Sequence, residues 1–72
     1  MKVDTFVKIV MAEILRSPDV VDTSFLRSDI RALGRKFESG ALDAAGILEA
    51  ISDILPWQLS RDIKKSIEKA LR

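Results

Sequence analysis

Val3-Asp4-Thr5-Phe6-Val7-Lys8-Ile9-Val10-Met11-Ala12-Glu13-Ile14-Leu15-Arg16 is the stretch on which the fold turns. Val3, Val7, Val10 and Ile14 fall on one stripe at helical spacing, and Phe6, Met11 and Leu15 widen it. At about 100° per residue these side chains cover roughly half of a helix's girth, and Ile9 lies outside even that arc. A helix this apolar belongs at the centre of a core or between subunits.

Outward from this segment the punctuation is regular. Ser17-Pro18-Asp19 ends the first helix, because Pro18 disfavours helical geometry at Ser17 and brings no amide. The same tripeptide can open a short new turn, with Ser17 as its cap. Asp22, Thr23 and Ser24 are N-cap residues for a second segment from about Thr23 to Glu38, whose stripe is Leu26, Ile30, Leu33 and Phe37. Gly40 stands where a C-cap glycine belongs.

A third segment runs from Ala41 or Asp43 to Ile54, with Ala44, Ile47, Leu48, Ile51, Ile54 and Leu55 on one arc. Ala41, Ala45, Gly46 and Ala50 keep other parts of its surface small, and Gly46 reads as a concession to close helix packing. Pro56 ends this segment and opens the fourth, from Pro56 to about Leu71, whose stripe is Leu59, Ile63, Ile67, Ala70 and Leu71. No alternating strand pattern, hairpin dipeptide or internal repeat intervenes.

The pattern predicts one all-α domain over residues 1–72, a compact bundle of four helical segments with most of its core from the first three. Without a staple, a core of this size supplies about 3–5 kcal/mol. The chain has no cysteine, so completion by homodimerisation is predicted. The reasons are the half-apolar girth of the first segment and the small-residue surface of the third.

Twelve Lys and Arg stand against eleven Asp and Glu, for a net charge of +1. That balance hides segregation. Residues 1–36 carry seven cations and five anions, residues 37–60 carry four anions and no cation, and residues 61–72 carry five cations and two anions. In the second segment Arg27, Arg31 and Arg35 form a file at four-residue spacing, where like charges repel by about 0.2–0.5 kcal/mol per pair. An anionic partner is implied, either in another molecule or on the acidic side of the third segment, at Glu49 and Asp53.

In the fourth segment Arg61, Lys65 and Lys69 repeat the spacing opposite the apolar stripe, and Trp57 projects onto the same side. A basic face with an aromatic suits phosphates and bases, an acidic protein, or an anionic lipid surface. The plainer reading is a solvated surface, with the cations near a helix C-terminus favoured by the macrodipole.

Cys, His and Tyr are all absent. That excludes disulfides, Cys/His zinc sites, thiol nucleophiles and Ser-His triads. Glu49 with Asp53, and Asp19 with Asp22, lack the spacing and companions of di-metal or EF-hand sites, and no glycine-rich phosphate loop exists. No metal, cofactor or catalytic residue is expected. A helix-turn-helix has little support, since Pro56 stands where a turn glycine is usual and only Gln58 and Arg61 are placed to read bases.

No uncharged stretch approaches about 18 residues, and Asp4, Lys8 and Glu13 interrupt the apolar start. A cytoplasmic setting is therefore expected, with membrane association the least favoured role. The predicted function is a non-enzymatic protein–protein interaction module: a small homodimeric helical regulator, adaptor or inhibitor. Its contact residues are Arg27, Arg31, Arg35, Trp57, Arg61, Lys65 and Lys69, suited to an acidic partner. The alternative is DNA binding through the basic faces of the second and fourth helices.

Overall fold

A computed structural model describes residues 1–56 and 58–72. Those residues form four helices and no strand: α1 (Val3–Ile14), α2 (Ser24–Glu38), α3 (Ala44–Ile54) and α4 (Arg61–Leu71). Each of the last three starts at a side-chain cap. Thr23 Oγ1 accepts from the Leu26 amide at 3.1 Å, Asp43 Oδ1 from the Gly46 amide at 2.8 Å, and Ser60 Oγ from the Ile63 amide at 3.3 Å. Such a cap contributes about 0.5–2 kcal/mol relative to alanine.

The caps choose between the expected starts of the third helix and correct that of the fourth. Asp43, one of the two expected starts, is the N-cap of α3, which begins at Ala44. The fourth starts at Arg61 rather than Pro56, with Gln58, Leu59 and Ser60 outside it. At the other end of α1 the chain closes a turn, with the Val20 amide donating to the Ser17 carbonyl at 3.2 Å around Pro18. Val20 then returns to the core.

Gly40 ends α2 in the left-handed region, at φ 83°. The Ala41 amide donates to the Lys36 carbonyl at 2.8 Å and the Gly40 amide to the Phe37 carbonyl at 3.2 Å. These two bonds are the Schellman arrangement, and they satisfy carbonyls the helix leaves open. The tight end turns α2 straight into α3.

α1 packs on α2 and α4, and α3 packs on the same two helices. Phe6, Val10, Ile14, Ile30, Ile47, Ile51 and Ile67 meet in the fully buried centre. α4 adds Ile63 and Leu71 beside Ile67, whereas α3 buries only Ile47 and Ile51. As expected, most of the buried apolar residues lie in the first three segments, with Leu59, Ile63, Ile67 and Leu71 supplied by the fourth, although Ala70 of the expected stripe is exposed. No charged or polar side chain is buried among the described residues.

The girth of α1 is covered within one chain. Phe6, Val7, Val10, Met11 and Ile14 are buried and Val3 and Ile9 half-buried, leaving Leu15 as its exposed large apolar residue. The premise on which homodimerisation was expected thus loses its main support. Among the described residues, no helix is long and apolar enough to cross a membrane.

Close helix approach comes from Gly34, not Gly46. A Cβ at Gly34 would lie 2.8 Å from Cδ1 of Phe6, which is fully buried and packs its ring 5.6 Å from that of Phe37. A Cβ at Gly46 would meet Leu42 and Asp43, neighbours in its own N-terminal turn. Gly34→Ala should gain about 1 kcal/mol of helix propensity and lose about 1–3 kcal/mol to overpacking. Urea unfolding should give a lower midpoint for the variant; an equal or higher one would show that the Phe6 ring yields freely.

Candidate functional site

The structure divides the arginine file of α2. Arg27 donates to Asp22 through Nε at 2.8 Å and Nη2 at 2.7 Å, a two-pronged pair across the helix start. Arg31 donates to Asp4 of α1 at 2.8 Å. Arg35 has no ion pair among the described residues. The internal anions are therefore Asp22 and Asp4, and not Glu49 or Asp53 of α3 as expected. All three arginines are exposed, and pairs of this kind contribute about 0–1 kcal/mol.

The α4 row is more open. Arg61, Lys65 and Lys69 are exposed, opposite the buried Ile63, Ile67 and Leu71, and none has an ion pair among the described residues. Glu68 pairs with Arg72 at the helix end. Arg16, beyond the end of α1, pairs with Glu13 at 3.2 Å and reaches Ser66 of α4 at 3.3 Å. Because α4 begins at Arg61, this cation sits at the positive end of the macrodipole, where it is disfavoured. The expectation that a helix C-terminus accounts for the row fails at Arg61. Trp57, the aromatic member of the expected face, lies outside the described residues. α2 and α4 do not pack on each other, so their basic rows sit on separate helices with α1 and α3 between them.

A second surface escaped the reading of the sequence. Val21 is 68% exposed and Phe25 is 83% exposed. Beside them an open groove of about 230 Å³ is lined by Val20, Val21, Leu26, Asp29, Ile54, Leu55 and Pro56. It lies where the start of α2 meets the end of α3. Phe25 is not part of that lining, but it precedes Leu26 in the chain and lies one helical turn before Asp29, two residues that are. A signal was present: Phe25 falls off the Leu26–Ile30–Leu33–Phe37 stripe, an aromatic on the polar side of an amphipathic helix.

Asp29 is the one ionisable residue of that lining, and it has no ion pair among the described residues. The groove thus offers apolar contact and one carboxylate. It does not bring together two groups that could share acid–base work. No family model, curated protein or solved structure matches the chain.

The Arg27 hydrogen bonds hold the Asp22 carboxyl below its ordinary value of 3.8. A carboxyl lowered in the folded state stabilises fully above that value, and the contribution is lost as pH falls through the lowered folded value. A carboxyl-detected NMR titration should place the Asp22 midpoint below 3.8. Arg27→Gln should return it to the ordinary range; an unmoved midpoint would assign the shift to something other than Arg27.

Proposed function

We propose that the chain is a non-enzymatic protein–protein interaction module, a small helical regulator, adaptor or inhibitor that docks through its surface. One observation carries this reading: Phe25 is 83% exposed, and it directly precedes Leu26, which lines an open apolar groove. A phenyl ring left in water forgoes burial worth about 1.5–3 kcal/mol, and exposed apolar patches with polar rims mark interaction sites. The contact surface is accordingly moved from the arginines of α2, two of which are paired, to the Val21–Phe25 patch.

A photo-crosslinking phenylalanine analogue at position 25, in the cells that make the protein, should yield a protein adduct, and the same analogue at the exposed Lys8 should not. Phe25→Ser should unfold within about 0.5 kcal/mol of the parent, as exposed substitutions do. A clearly larger loss would assign Phe25 to the fold instead of to a partner.

The basic row of α4 supports a second reading, binding of nucleic acid, because Arg61 sits against the macrodipole and neither it nor Lys65 nor Lys69 has an ion pair among the described residues, Glu68 being taken by Arg72. Affinity for duplex DNA should then fall linearly in log salt, through released counterions. Lys65→Glu with Lys69→Glu should abolish it. Absence of a mobility shift at low salt with excess protein removes this reading.

A further inference from the structure

We propose that the groove between the start of α2 and the end of α3 receives an amphipathic segment of another protein, with an apolar anchor side chain flanked by Lys or Arg. This deepens the interaction-module reading and rests on it.

Size speaks first. The groove holds about 230 Å³, below the roughly 300–1,000 Å³ of small-molecule pockets. It suits one inserted side chain rather than a whole cofactor. Val20, Val21, Leu26, Ile54, Leu55 and Pro56 make its walls apolar, and the exposed Phe25, next to Leu26 in the chain, adds a further apolar side chain. An amphipathic helix laid into a groove uses such a mix of one deep pocket and flanking contact.

Charge selects the partner. The segments that build the groove carry Asp19, Asp22, Asp29 and Asp53 against a single cation, Arg27. Arg27 is taken by Asp22. Asp19, Asp29 and Asp53 are exposed, with no ion pair among the described residues. Asp29 lines the groove, and Asp19 and Asp53 each directly precede a lining residue. One carboxylate in an apolar slot, with two more on residues adjoining its lining in the chain, calls for a cationic segment with an apolar anchor.

The same charges select against the other occupants. Nucleic acid and anionic lipid meet like charge there. A second copy docking face to face sets the same carboxylates against themselves, which opposes association. Among the described residues, the basic row of α4 in a second copy has the charge but not the anchor, because Ile63, Ile67 and Leu71 are buried in its own core.

The test uses the full chain and three fluorescein-labelled peptides of about four helical turns: an amphipathic Leu/Lys helix, the same with Glu for Lys, and the same with Ser for Leu. Anisotropy should rise with the Leu/Lys peptide and remain flat with the Leu/Glu peptide, while the Ser/Lys peptide binds weakly at best. Amide NMR shifts should move at Val21, Leu26, Asp29 and Leu55. Phe25→Ala should weaken binding by about tenfold, as loss of an aromatic anchor does. Asp29→Asn with Asp53→Asn should weaken it by about threefold, as loss of exposed charges does, and reduce its salt dependence. Circular dichroism checks that these surface variants stay folded.

Equal binding of the Leu/Glu peptide overturns the proposal, as do amide shifts centred on α4. Sedimentation of the free protein at twice the chain mass of 8.0 kDa, abolished by Phe25→Ala, also overturns it and makes a second copy the occupant. Failure of the peptides with the position-25 protein adduct intact overturns only the partner's chemistry. Failure of both removes the interaction module as well.

Discussion

Phe6 rests where Gly34 has no side chain, and the position of α1 follows from that contact. The ring is fully buried, with Phe37 on the same side. Because the α2 backbone lets the ring in, α1 settles deep enough to put Val10, Met11 and Ile14 into the shared core. On the outside of the same junction the Asp4–Arg31 pair spans the two helices. It is exposed and contributes little energy, so the glycine and the phenyl ring set the approach. A half-apolar helix thereby finds cover within a single 72-residue chain.

The groove follows from how α2 and α3 are joined. Gly40 reverses the chain in a few residues, so the end of α2 and the start of α3 are held together. Their other ends have no such turn between them. The space there is filled by connecting chain: Val20 arrives from the Ser17–Val20 turn, and Leu55 and Pro56 leave α3. Pro56 lacks an amide and cannot extend α3 to cover the gap.

Much of this architecture was legible in the sequence, and what escaped has physical reasons. The stripe of α2, the Thr23 and Gly40 caps and the ends of α3 and α4 follow from local rules that act within one or two turns. The start of α4 was misread because Pro56 is a good opening residue, while Ser60 is an equally good cap, and local propensity does not choose between them. Gly34 was passed over in favour of Gly46, since a glycine's role in packing depends on which helix crosses it. The arginine file was seen, but not its anions: Asp4 lies 27 residues from Arg31, and that pairing depends on the approach of α1. Phe25 was visible as an aromatic off the stripe, yet the groove is assembled from two helix ends and the chain that flanks them, and has no periodicity to read.

The two charged surfaces differ in kind, and that difference bears on specificity. The α4 row has cations but no exposed large apolar side chain on its helix. The charges of such a row act through forces that salt screens and that do not distinguish one polyanion from another. At the groove, apolar walls and Phe25 stand among free carboxylates. Apolar fit there can reject a segment without an anchor, and charge can reject an anionic one, so two independent criteria act at one place. Because the net charge of the whole chain is only +1, neither surface is overridden by a global field. Under the proposed interaction-module reading, discrimination between partners falls to the surface where shape and charge coincide.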